Sequence, residues 1–297
     1  MRIFITGANG LLGQKIVEKV VADRQHQLLA TSKGENRNAV LNGYDYQSVD
    51  ISNREEVLAA ISGFKPEVII NTAAMTNVDQ CEQDREGCQL ANVTSVEYLI
   101  EAARSTNAHL IHLSTDFVFD GENGPYKEED TAAPLSFYGN SKLLSEQLVE
   151  QSGLEKWSVA RTIIVYGTGN RLSRGNIVFW VKEMLEEGKE ITIVDDQFRA
   201  PTFAEDLAEG CLLIAEKGVN GIFHLSGPET LSIYELATRV ARFYNLNADL
   251  IKPVQTGMFT QPAKRPLKTG FDISKARRVL GYAPKTLEES LGLIEVS

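Results

Sequence analysis

The sequence predicts an α/β fold: a doubly wound parallel sheet joined to a smaller C-terminal α/β lobe. Three observations carry that expectation. Short apolar runs alternate with amphipathic helical segments through the first half of the chain. A glycine loop follows the first apolar run. After residue 162 the alternation loosens and prolines gather in the connections. Strands separated by helices require right-handed crossovers, and so a parallel sheet. The expected division is 1–162 for the sheet domain and 163–297 for the lobe, with the chain free to cross back.

Taken in order, residues 2–6 form an apolar strand that ends at the glycines. Residues 11–22 carry Leu12, Ile16 and Val20 on one helical face. A strand at 27–31 follows, and Val49 closes another short one. Residues 53–62 read as a helix capped by Ser52 or Asn53. The run 67–71 is a buried strand, 86–105 one long helix and 108–114 a strand. Pro134 precedes a helix that runs through Gln151, and 158–162 is a further strand. In the second half 176–187, 203–216, 232–244 and 274–280 have helical patterns, while 190–194 and 221–225 are strand-like. The loops between them carry Pro201, Pro228, Pro253, Pro262 and Pro266. No repeat or flexible linker interrupts the chain, so its C-terminal part is expected to pack on the sheet as a lid or substrate lobe.

The chain has 297 residues, 43% hydrophobic and 24% charged, a balance that excludes global disorder. No run approaches the roughly 20 apolar residues of a membrane helix. Residues 1–7 lack the features of a secretory signal, which predicts a cytoplasmic protein. A net charge of −10 argues against a nucleic-acid partner, yet local donors can still hold a small anion. Cys81, Cys88 and Cys211 are odd in number and form no Cys-x-x-Cys pair, so they read as buried or half-buried thiols. His26, His109, His112 and His224 show no ligand spacing, and no metal site is expected. His112 and His224 read as satisfied core histidines, and Trp157 and Trp180 as packing aromatics. No Gly-x-Ser-x-Gly elbow points to a hydrolase.

The run Thr6-Gly7-Ala8-Asn9-Gly10-Leu11-Leu12-Gly13 lies between the first strand and the first helix. Gly7 permits the tight turn, Gly10 lets backbone approach a pyrophosphate, and Gly13 lets helix and strand pack closely. Helix amides and the helix dipole then hold phosphates. This is a Rossmann-like dinucleotide site. After the second strand, Ser32, Lys33 and Arg37 stand where a carboxylate would bind the ribose of NAD. A hydroxyl with cations suits a 2′-phosphate, hence NADPH with NADH as the alternative; the same charges also read as solvated loop residues. Asp50 and Ile51 after the third strand either meet the adenine or open the next helix.

Tyr138 and Lys142 are four apart on the expected helix and share one face. A nearby cation favours phenolate, so the spacing predicts a lowered Tyr138 pKa and proton exchange at neutral pH. Ser114 and Thr115 end the preceding strand, where ligands bind in open α/β sheets, and a hydroxyl there can meet a substrate oxygen beside the phenol.

Further motifs join these: Asn71-Thr72-Ala73-Ala74; the stretch STDFVFDG at 114–121; Tyr126 with Glu128, Glu129 and Asp130; Pro134; Tyr138-Gly139-Asn140-Ser141-Lys142; and DDQFRAPT at 195–202 with Asp206-Leu207-Ala208. Together they resemble, over nearly the whole chain, the extended short-chain dehydrogenase/reductase superfamily acting on nucleotide sugars. Within it the resemblance is to the dTDP-4-dehydrorhamnose reductase family. The resemblance implies reduction of a 4-keto nucleotide sugar in dTDP-rhamnose and polysaccharide biosynthesis. It implies that Thr115 polarises the keto oxygen, Tyr138 protonates it, and Lys142 tunes Tyr138 and binds the nicotinamide ribose. Gly7, Asn9, Gly10, Leu11, Leu12 and Gly13 would line the pyrophosphate, and Ala73 and Ala74 the adenosine side. Asn92 would fix the cofactor pocket, with Ser114 beside it. Thr76, Val118, Phe119, Arg199, Pro201 and Thr202 would face the sugar nucleotide, and Arg265 its diphosphate. A homodimer fits the resemblance; Mg²⁺ at a dimer contact is described for some relatives, and this sequence has no acidic cluster that demands it.

Phe117 stands where that family often has tyrosine, and Arg199 where glycine is common. Two rival readings use the same scaffold. One is an epimerase or dehydratase with tightly bound NAD. The other is a non-catalytic regulatory subunit related to the partner of methionine adenosyltransferase. Ser32 and Lys33 argue against the epimerase, Phe117 after Asp116 against the dehydratase, and the intact Thr115, Tyr138 and Lys142 against the regulatory subunit.

Overall fold

The computed structural model describes residues 1–173, 175–258 and 261–296. Its centre is a seven-stranded sheet of β1 (Arg2–Thr6), β2 (Gln27–Ser32), β3 (Asp45–Ser48), β4 (Val68–Asn71), β5 (His109–Thr115), β6 (Trp157–Thr162) and β7 (Gly221–His224). The spatial order is β7-β6-β5-β4-β1-β2-β3, and every pair is parallel. The order reverses between β1 and β4, so the ligand crevice lies outside their carboxyl ends.

Alternation along the strands sends side chains to two layers. Ile3, Ile5, Ile70 and Ile111 face a core shared with α1 (Leu11–Asp23) and α5 (Ala204–Lys217). Phe4, Ile69, Leu110 and Val159 face another, shared with α2 (Arg54–Phe64), α3 (Ser95–Thr106) and α4 (Phe137–Glu150). Asn53, not Ser52, caps α2, accepting from the amides of Glu55 and Glu56. Ser136 caps α4 by accepting from Gly139 N at 3.2 Å.

The smaller lobe has its own core, with Val178, Val181, Leu236 and Val240 at its centre. Helices Ile177–Glu186 and Ile233–Phe243 pack there against the parallel pair Ile191–Val194 and Ile251–Val254. A C-terminal helix, Leu287–Val296, adds Leu287 and Leu291; the sequence pattern had not marked it.

Beyond residue 162 the chain crosses back: β7 extends the sheet's edge beside β6, and α5 returns to pack on α1. Three local expectations change. The long helix expected at 86–105 is three pieces: Arg85–Gln89, a π turn at Leu90–Thr94, and α3. That turn carries the buried Asn92, whose Nδ2 donates to Met75 O and to Ser141 Oγ, each at 3.0 Å; the polar bridge takes precedence over the regular ladder. Val49 lies just beyond β3 rather than closing it. Pro253 is in a strand, not a loop; it sits on the lobe's short pair, which leaves one side without ladder partners. Among the described residues, no helix is long and apolar enough to cross a membrane.

Candidate active site

A cavity of about 1200 Å³ opens between the sheet's carboxyl edge and the smaller lobe. Gly7 turns at φ 69°, where a side chain is strained and would meet Thr72 and the Ala73 backbone. A Cβ on Gly13 would lie 2.3 Å from Gly7 O, so only glycine lets the loop fold over α1. The helix starts at Gly10 with no side-chain cap and no acid in its first turn. The Gly10 amide turns back to Gly7 O at 2.9 Å, and the positive dipole end of the helix faces the cavity wall at Leu11 and Leu12. Ser114 Oγ is buried on the same wall without a partner. An uncapped helix end and an orphan hydroxyl fit an anionic dinucleotide cofactor.

Asn9 lines the cavity but its amide serves the chain itself. Nδ2 donates to Glu35 O at 2.7 Å, and Oδ1 accepts from Arg37 N at 2.8 Å. The glycine loop is thereby tied to the segment after β2. Ser32, Lys33, Arg37, Asp50, Ile51, Ala73 and Ala74 surround this end of the cavity. Lys33 Nζ lies 2.7 Å from Asp50 Oδ2, and with the Ser52 hydroxyl it holds the Asp50 carboxyl down to about 2.

At the other end Ser114, Thr115, Tyr138 and Lys142 come to one wall. The Thr115 hydroxyl stands near the Tyr138 phenol but donates to Asp116 Oδ1 at 3.1 Å, and Phe117 packs edge-on to the Tyr138 ring with centroids 5.7 Å apart. The lowered tyrosine pKa expected from Lys142 is not what this environment produces. Burial pushes Tyr138 above its ordinary value, Thr115 opposes the rise, and the Asp116 carboxylate adds to it. Lys142 turns toward His112, with Nζ 3.0 Å from Nε2, and burial lowers its amine to about 8. The buried thiols of Cys81 and Cys88 pack beside Tyr138.

On the lobe side the expected substrate residues divide. Thr76, Arg199 and Arg265 line the cavity. Val118 and Phe119 do not; they are fully buried, and Phe119 stacks on Tyr126 with centroids 4.1 Å apart. The 3₁₀ turn Asp116–Val118 carries the chain back into the core directly after Thr115. Pro201 and Thr202 lie behind the wall as well, Thr202 Oγ1 donating to Ile163 O at 2.6 Å. Arg199 is itself buried: its Nε is 3.4 Å from Asp116 Oδ2, and its other nitrogens donate to the carbonyls of Phe198, Pro266 and Leu267. Arg265 forks onto Asp79 at 3.2 and 2.6 Å. Asn92 is off the cavity and braces Met75, which is on it.

Trp180 is a correction. It is not packed away but 41% exposed, and it lines the cavity with Gln197 and Gln261. Nothing in the sequence around it separates a wall aromatic from a core one, because that depends on where the lobe meets the sheet. Among the described residues no group of three or more His, Cys, Asp or Glu side chains is placed to hold a metal ion.

Comparison with known proteins bears on this site. The family model described as RmlD substrate binding domain matches residues 1–294. The chain is 34% identical to a dTDP-4-dehydrorhamnose reductase of Aggregatibacter actinomycetemcomitans, covering 98% of this chain and 97% of that protein. It is 33% identical to methionine adenosyltransferase 2 subunit beta of Xenopus laevis, over 96% of this chain and 84% of the other. It superimposes with a TM-score of 0.84 on a crystal structure of dTDP-4-dehydrorhamnose reductase from Bacillus anthracis in complex with NADP, at 29% identity, covering 99% and 98% of the two chains.

Proposed function

The chain belongs to the RmlD substrate binding domain family, and from that premise we propose that it is an NAD(P)H-dependent reductase of a nucleotide-linked 4-keto-6-deoxy sugar. The specific reaction is dTDP-4-dehydrorhamnose to dTDP-L-rhamnose, with NADPH preferred. The observation that carries this reading is the convergence of Thr115, Tyr138 and Lys142 on one wall of a cavity that also receives the uncapped end of α1.

Each residue then has a task. The reduced nicotinamide supplies a hydride to the keto carbon when bound. The Tyr138 hydroxyl gives its proton to the keto oxygen. Thr115 turns its hydroxyl proton from Asp116 Oδ1, which now accepts it at 3.1 Å, to the same oxygen as charge develops there. Lys142, charged, steadies the phenolate that remains. Reduction needs the phenol protonated at the start, and burial keeps the proton on Tyr138. Gly7, Gly10, Leu11 and Leu12 hold the pyrophosphate, and Ser32, Lys33 and Arg37 the 2′-phosphate. Arg265 and Thr76 face the sugar nucleotide.

A non-catalytic role would place no demand on the convergence of Thr115, Tyr138 and Lys142 on one cavity wall, and the reductase reading does. The test is to follow loss of reduced-nicotinamide absorbance with dTDP-4-dehydrorhamnose generated in situ, with NADPH and NADH side by side. Oxidation that yields dTDP-L-rhamnose, faster with NADPH, is expected. No oxidation, with NAD⁺ found tightly held by the purified protein, would overturn the reading in favour of an epimerase or dehydratase.

A further inference from the structure

Three neighbouring strands carry a polar side chain at one buried register. Thr6 of β1 pairs with Asn71 of β4, and Asn71 with His112 of β5. All three are 1% exposed, on the sheet face otherwise filled by Phe4, Ile69 and Leu110. Such a row destabilises an apolar layer unless every atom is bonded, and here the bonds run in sequence. Thr6 Oγ1 donates to Asn71 Oδ1 at 2.6 Å, and Asn71 Nδ2 lies 2.9 Å from His112 Nδ1. His112 Nε2 lies 2.9 Å from Ser145 Oγ and 3.0 Å from Lys142 Nζ. The proposed reaction assigns no task to His112.

The bonding pattern ties the ring to the lysine. Thr6 takes the Asn71 oxygen, so the Asn71 nitrogen donates to Nδ1. The neutral ring then carries its proton on Nε2, which Ser145 Oγ accepts while giving its own proton to Lys142 O at 2.8 Å. In that arrangement Lys142 Nζ faces an N–H and is favoured as the amine. An ammonium at the same place needs a lone pair on Nε2, hence the ring proton on Nδ1 and the Asn71 amide turned over.

We propose that His112 acts through Lys142 as a positioning residue: its ring tautomer, set together with the Asn71 amide, decides whether Lys142 stands at the cavity wall as an amine or as an ammonium. The inference rests on the reductase reading, in which Lys142 must be charged to steady the Tyr138 phenolate. Other groups face the lysine. Glu146 lies one turn along α4 and is paired with Arg161 of β6 at 2.7 Å. Cys88 faces it from helix Arg85–Gln89, and Tyr138, with Asp116 nearby, shares its wall. Lys142 is the charged group that acts on His112, and burial drives both toward neutrality.

Two measurements test this. In protein with isotope-labelled histidine and lysine, the His112 ring nitrogens should change tautomer over the pH interval in which Lys142 Cε titrates, with midpoints within about 0.3 unit. A ring held in one tautomer while Lys142 titrates overturns the proposal, whatever the activity. In turnover, H112L and H112N, which leave no acceptor at Nε2, should lower kcat about tenfold or more at pH 7. KM for the nucleotide sugar should stay within about threefold, and the alkaline limb of kcat should move to lower pH. H112Q, which can offer an amide oxygen near the Nε2 position, should recover most of the loss and move the limb up. Folded H112L and H112N proteins with the original pH profile overturn the proposal. If the unsubstituted chain oxidises no reduced nicotinamide, the reductase reading falls instead, and the tautomer measurement still decides the role of His112.

Discussion

Tyr138 keeps its proton because its surroundings replace water with Phe117, Cys81 and Cys88, and a phenolate there lacks solvation. Y138F removes the proton donor and little of the ring packing. It should cut turnover by about 10²- to 10⁴-fold while NADPH affinity, read by fluorescence titration, stays within several-fold. Equal losses in both would remove Tyr138 from the chemical step. Lys33 poses a different question, since its ammonium is exposed and engaged by Asp50 at 2.7 Å. If it serves a 2′-phosphate, K33A weakens NADPH about tenfold and leaves NADH nearly unchanged; parallel changes in the two dissociation constants would reduce Lys33 to a loop charge.

Among the elements, α1 and its glycine loop form a single unit. Gly13 sits in the first turn of the helix, and a methyl there meets Gly7 O at 2.3 Å and Ala8 Cα at 2.7 Å. Both are backbone atoms, so the loop must move rather than a side chain rotate. G13A should lose about 1–3 kcal/mol of stability in denaturant melts, and NADPH binding should fall at least as far as that strain requires. An unaltered Kd would mean the loop does not carry the cofactor. The π turn at Leu90–Thr94 obeys the same logic from the opposite side. Its residues read as ordinary helix, and only the partners across the fold, Met75 and Ser141, explain the widened turn around Asn92.

For the whole molecule, the buried histidines set an acid limit. Burial lowers His109 to about 4, and drives His112 and His224 well below their ordinary range. The unfolded chain titrates near 6.5. As pH falls from 6.5 toward 4 the unfolded state takes up protons that the native state refuses, so stability is full above 6.5 and declines through that window. His109 alone should account for about 2 kcal/mol by pH 5. Urea unfolding at pH 7 and pH 5 measures it, and equal free energies at the two would contradict neutral burial. We also propose that the sheet domain and the lobe act as halves of one site, because Arg199, Arg265 and Trp180 reach the cavity from beyond residue 162.

Local pattern alone was enough for the alternating strands and helices, the glycine turn, and the shared face of Tyr138 and Lys142. Period and turn chemistry are properties of neighbours along the chain, and each of these features has its cause within a few residues. Tertiary structure decided the rest. It returned β7 and α5 to the first layer, sank Val118, Phe119, Pro201 and Thr202 behind the wall, and brought Trp180 out onto it. It also reversed the expected electrostatics of Tyr138. Spacing places a lysine near a phenol, but the energy of the phenolate depends on how much water the fold removes and on which group, here His112, the lysine meets first.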